Sequence, residues 1–195
     1  SGLMSYSGRI DSGPHPQGTQ IADLGGGSYN AIVAILGAVI HRLQTGNGQF
    51  LDVSMLDGAI AWNAQAGANF LGGGELPTYE SWMLNGGTHY GYYRTSDGRY
   101  LSIGPLEPQF WQGFCKAIGR ADLIPRYTYA GPEMREVRDE IAAVLLTKTV
   151  AEWMAIFDPL DVCVEPVLNL AEMTEHPQVQ AREMIIQVPS ENGDI

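Results

Sequence analysis

Apolar residues recur at helical spacing in the first third of the chain. Tyr29, Ile32, Val33, Leu36, Ile40 and Leu43 fall three or four apart within residues 25–44, and Ile35 and Val39 widen the stripe until most sides are apolar. Such a helix belongs inside a layered fold. Thr45-Gly46-Asn47-Gly48 supplies a glycine C-cap and a turn. Residues 49–56 then alternate, Leu51, Val53 and Met55 opposite Phe50, Asp52 and Ser54, which predicts a strand. Residues 57–71 predict a second helix, and the glycine-rich stretch 72–91 with Pro77 predicts a long connection.

The pattern changes after that connection. Residues 92–95 and 99–104, joined by Ser96-Asp97-Gly98, predict a β-hairpin. Pro108 opens a helix that Gly119 closes. Met134, Val137, Ile141, Val144 and Leu145 mark an amphipathic helix, and Thr149 with Glu152 and Asn169 with Glu172 are two further helix starts. Residues 162–164 predict a short strand. The chain is therefore read as α/β over residues 1–71, a linker over 72–91, a small α+β domain over 92–184 and an outgoing linker over 185–195.

Charge and composition remove several classes of function. Eleven basic against twenty-two acidic residues leave a net charge of −11, which opposes attraction to nucleic acid or anionic lipid. The 17% charged composition with nine Tyr, four Trp and five Phe is that of a folding chain. Cys115 and Cys163 stand apart from each other and from paired histidines, giving neither a zinc site nor a disulfide framework and fitting a reduced cytoplasmic protein. The apolar stretch 31–40, interrupted by Gly37, is too short for a bilayer, so no membrane span is expected.

Two carboxylates stand out. Asp23 precedes Gly25-Gly26-Gly27-Ser28 at the start of the apolar helix, and three consecutive glycines cost conformational entropy unless something approaches the backbone closely. Either the amides of residues 25–28 face an anion or oxyanion while Asp23 touches a reacting atom, or Asp23 is a plain N-cap and the glycines serve packing. Asn30 and the lack of Gly-Lys-Ser/Thr exclude a dinucleotide fingerprint and a P-loop. Glu107, between a strand and the Pro108 helix, is expected at an N-cap, where the positive helix end favours an ionised base. Of the histidines, only His89 lies near candidate chemistry.

Ile21-Ala22-Asp23-Leu24-Gly25-Gly26-Gly27-Ser28, the helix after it, and the run from Arg42 through Gly46-Asn47-Gly48 into Asp52-Val53-Ser54-Met55-Leu56-Asp57-Gly58 resemble the family III CoA-transferases. Tyr93-Arg94-Thr95-Ser96-Asp97-Gly98, Gly104-Pro105-Leu106-Glu107-Pro108 and Val164-Glu165-Pro166-Val167 are similar to its racemase branch. The resemblance implies the end of a Rossmann-like large domain followed by the smaller α+β domain. It implies catalytic roles for Asp23 and Glu107 as bases on opposite faces of an acyl-CoA α-carbon, with Gly25, Gly26, Gly27, Met55, Leu84, Tyr90 and Leu106 at the substrate. A transferase would instead use Asp23 as a nucleophile, and a noncatalytic acyl-CoA-binding module is a third reading.

The resemblance also implies an interlocked homodimer, an acyl-CoA substrate, and no cofactor or metal apart from the CoA that the substrate carries. A catalytic histidine and most CoA-phosphate contacts of that family fall upstream of the segment matching Ser1. The chain alone is thus expected to be inactive, with an uncovered apolar face that promotes association or loss of order in its first half.

Overall fold

A computed structural model describes residues 1–127, 132–186 and 188–189, and it divides into two compact units. The first comprises Ser1–Gly91 with Asp122–Glu140; the second comprises Tyr92–Ala121 with Ile141–Ile195.

The first unit begins with two short antiparallel strands, β1 (Gly8–Arg9) and β2 (Gly13–Pro14). A π-helical segment, Ile21–Ser28, runs directly into α1 (Tyr29–Thr45). Gly46 ends α1 in the left-handed conformation (φ 74°) and donates its N–H to the Arg42 carbonyl at 2.8 Å, as the glycine cap predicts. Neither Gly37 nor the triple glycine interrupts this run. Ile21–Thr45 is 25 residues, long and apolar enough to cross a membrane by length and composition. The shorter stretch expected from residues 31–40 is corrected accordingly. No residue of α1 is buried, and Ile32, Val33, Leu36, Val39, Ile40 and Leu43 are all exposed.

The strand expected over residues 49–56 does not form. A strand needs a neighbour for its backbone groups, and none pairs with this segment among the described residues. Its last residues serve a helix instead: the Ser54 hydroxyl accepts from the Leu56 and Asp57 amides at 3.1 and 3.3 Å and starts α2 (Met55–Ala61). The single helix expected over 57–71 is two, α2 and α3 (Ala64–Leu71), broken at Trp62-Asn63. The Asn63 amide there donates to the Ala59 and Ile60 carbonyls, while its oxygen accepts from the Tyr6 hydroxyl at 2.8 Å.

Residues 72–91 stay with the first unit rather than bridging freely. Asn85 binds the Tyr6 and Thr78 carbonyls, Arg9 pairs with Glu80 at 3.2 Å, and Arg138 donates to the Gly86 carbonyl. The His89 and Tyr127 rings meet edge to face at 5.6 Å. These last two links explain why Asp122–Glu140, expected within the second domain, groups with the first unit.

In the second unit β3 (Gly91–Arg94), β4 (Tyr100–Ile103) and β5 (Val164–Pro166) form one sheet in that order, with β4 and β5 antiparallel in the register Leu101↔Pro166, Ser102↔Glu165 and Ile103↔Val164. The hairpin thus forms where the sequence predicts it, whereas the later strand, expected over residues 162–164, lies two residues further on at Val164–Pro166. The helices are α4 (Pro108–Ala117), α5 (Pro132–Leu145, shared between the units), α6 (Val150–Phe157), α7 (Leu170–Glu175) and α8 (Pro177–Ala181). Capping boxes at Thr149/Glu152 and Asn169/Glu172 are both closed.

Apolar burial concentrates here. Leu101, Ile103, Trp111, Phe114, Ile141, Leu145, Trp153 and Phe157 are essentially inaccessible. Phe114 stacks on Phe157 at 5.9 Å, Phe157 on Trp153 at 5.6 Å, and the buried Trp153 indole donates to the Leu145 carbonyl at 2.8 Å. Of the outgoing linker expected over 185–195, residues 187 and 190–195 lie outside the described residues.

Candidate active site

The triple glycine is a device for close helix packing. Gly26 is buried, and a Cβ there would lie 2.9 Å from the Met55 carbonyl oxygen and 3.1 Å from the Ala59 nitrogen. A Cβ on Gly25 would meet the Trp62 ring at 2.9 Å, and one on Gly27 the Met55 side chain at 3.0 Å. The π turns here bond residues five apart, the last being Tyr29 N–H to the Leu24 carbonyl. The expectation that the amides of residues 25–28 are free helix-start donors is therefore corrected. The helical run starts four residues earlier, after Gln20, and these amides lie inside it.

Asp23 is correspondingly not an N-cap. It occupies the first turn of the π segment with its side chain exposed, and its backbone carbonyl accepts from the Ser28 hydroxyl at 3.0 Å. Asp23, Gly27, Ser28, Ala31, Val53 and Met55 line an open groove of about 380 Å³. The i, i+4 and i+5 positions after Asp23 form its floor, and Met55 reaches it because Gly27 lets α2 come close. A second groove of about 310 Å³, sharing Val53, is lined by polar groups that include Asn30, Asp52, Ser54 and Asp57.

Among the residues expected at the substrate, Gly27 and Met55 thus join Asp23, whereas Gly25 and Gly26 face α2 and its following turn. Leu84 and Tyr90 are partly exposed on the later segment of the first unit and do not line this groove. His89 is fully buried against Tyr127. Ala31 was not singled out from sequence, Ser28 only for its amide and Val53 only within a family motif; helical spacing from Asp23 is the signal for the Ser28 and Ala31 side chains.

Glu107 and Leu106 belong to the second unit. Glu107 stands at the N-cap of α4 with extended backbone (φ −79°, ψ 145°), and its carbonyl accepts from Trp111 N–H at 2.9 Å. Its exposed carboxylate makes no capping hydrogen bond. Half-buried Leu106 donates its N–H to the Gly104 carbonyl at 2.8 Å, and Gly104 N–H binds the Cys163 carbonyl at 3.0 Å. Neither carboxylate, then, is consumed as an ordinary cap. Among the described residues no group of three or more His, Cys, Asp or Glu side chains could hold a metal ion.

The sequence matches the CoA-transferase family III over residues 1–195. The chain belongs to that family. It is 32% identical over 201 residues to the α-methylacyl-CoA racemase of Homo sapiens, covering 100% of this chain and 51% of that protein. It is 29% identical over 200 residues to the succinyl-CoA:mesaconate CoA-transferase of Haloarcula marismortui, covering 99% of this chain and 49% of that protein. The chain therefore spans about half the length of these family III relatives. Crystal structures of Rv3272 from Mycobacterium tuberculosis (TM-score 0.73, 21% identity, 100% of this chain and 52% of that one) and of a CaiB/BaiF family protein from Brucella suis (TM-score 0.71, 22% identity, 99% and 55%) share its mixed helix and strand fold.

Proposed function

We propose that this chain is part of a racemase of 2-methylacyl-CoA thioesters that works by two-base proton transfer, with Asp23 and Glu107 as two of its proton-transfer groups. Inversion at a carbon acidified by a thioester needs a base on one face and an acid on the other. One carboxylate removes the α-proton, the thioester carbonyl carries the charge as an enolate, and a proton returns to the opposite face. The reaction asks for no cofactor beyond the CoA of the substrate. Met55 beside Asp23 suits an acyl chain, because an unbranched thioether adapts to variable shapes.

The observation that carries this reading is Glu107: a helix-start carboxylate that is exposed and makes no side-chain capping bond is accessible to a substrate. The racemase relatives support it. In the complete protein we place the first unit at the end of a Rossmann-like large domain, with an interlocked dimer bringing the two carboxylates to one substrate. The rest of that assembly would cover the apolar face of α1.

The transferase relatives favour a second reading, in which Asp23 attacks an acyl-CoA to form a mixed anhydride and then an aspartyl thioester. Incubating the complete protein with acyl-CoA and hydroxylamine or borohydride separates them. Under the racemase reading Asp23 stays unmodified; modification at Asp23 establishes the transferase.

A further inference from the structure

Cys163 carries a backbone conformation that its side chain does not favour. Its φ is +52°, in the left-handed region that glycine and asparagine populate most readily, and it immediately precedes β5. Left-handed non-glycine residues persist where the surroundings over-determine them, and they concentrate at functional sites.

The bonds around it lead to Glu107. Cys163 turns its carbonyl onto the Gly104 N–H at 3.0 Å, one residue beyond the Ile103↔Val164 pair that ends the β4–β5 ladder. Gly104 in turn accepts from Leu106 N–H at 2.8 Å, Pro105 is buried between them, and Glu107 follows as the N-cap of α4. The Cys163 thiol also senses the Glu107 charge. Partial desolvation, and after it the negative charges of Glu107 and Asp161, push the exposed Cys163 thiol up.

We infer that Cys163 is a positioning residue for Glu107: its left-handed backbone directs the carbonyl that anchors Gly104, and so sets how the turn over residues 104–107 presents the carboxylate. The inference rests on the reading of Glu107 as a proton-transfer group, and it adds a residue just before β5, distant in the chain, to the machinery of that reaction. Cys163 itself need not touch the substrate.

Two measurements on the complete protein test it. In the first, Cys163→Val and Cys163→Gly are compared in racemisation of a 2-methylacyl-CoA. A β-branched side chain resists the left-handed region and glycine accepts it, so the valine variant loses about tenfold to a hundredfold in kcat with KM little changed. The glycine variant keeps kcat within about twofold of the parent. Equal activity of all three proteins, or an equal loss in both variants, overturns the inference.

In the second, the pH profile of iodoacetamide alkylation at Cys163 is followed by peptide mass spectrometry in the parent and in Glu107→Gln. Removing the nearby negative charge eases thiolate formation, so the profile moves to lower pH in Glu107→Gln. An unmoved profile overturns the inference whatever the reaction proves to be. A parent protein with no α-proton exchange defeats the racemase reading and leaves alkylation to decide the geometry.

Discussion

A Cβ placed on Gly58 would lie 2.1 Å from the Gly26 carbonyl oxygen. The π segment and α2 therefore cross with backbone against backbone, and neither position accepts a side chain without moving a helix. That crossing brings Met55 to the groove beside Asp23.

Gly58→Ala should consequently lower stability by about 1–3 kcal/mol through overpacking against backbone that cannot rotate away. Gly37→Ala is its control: a Cβ there meets nothing within 4 Å, and an exposed helix interior gains about 0.5–1 kcal/mol from the change. Urea denaturation of both variants reads the difference, and the sign should reverse between them.

Phe157 lies between Phe114 and Trp153 and is 2% exposed. Phe157→Ala should destabilise the second unit by about 3–5 kcal/mol, whereas truncation of half-exposed Leu146 should cost far less. Near-ultraviolet circular dichroism on a denaturant titration follows this aromatic cluster directly.

The Thr95 hydroxyl beside Asp97 holds its carboxyl below the usual carboxylate range, assisted by the Val150 and Arg99 amides. A folded-state pKa depressed in this way adds stability above the unfolded value, near pH ~3.9, and that stability is lost as pH falls through the folded value. Asp97→Asn should therefore melt earlier than the parent at pH 7, and the gap should close on acidification below the folded pKa. A gap that is unchanged at low pH would refute the electrostatic origin.

Asp23→Asn and Glu107→Gln should each lower racemisation in the complete protein by about 10²–10⁴-fold, the range for losing one positioned acid or base. Steady-state assays with both epimers check this. Full activity in Glu107→Gln would leave only the nucleophilic role of Asp23.

What could be read from the sequence follows the range of each interaction. Thr149/Glu152 and Asn169/Glu172 are closed within four residues, so their helix starts were legible, as was the turn at Ser96-Asp97-Gly98 between its strands. Residues 49–54 alternate correctly yet form no strand, because alternation states which face is apolar and not whether a neighbouring strand is present. The break at Trp62-Asn63 depends on Tyr6, more than fifty residues away. In the first unit Asp23 and Met55, and in the second unit Glu107, were marked by helix-start chemistry and family resemblance. The π geometry that places Gly27 and Ser28 under Asp23, and buries Gly26, arises from the approach of α2 and has no local pattern beyond the glycines themselves.

Deuterium incorporation is the most direct measurement of the central claim. Each epimer of a 2-methylacyl-CoA, incubated with the complete protein in deuterium oxide, should acquire one α-deuteron and appear in the opposite configuration. Retention of the α-proton in both epimers would contradict the account.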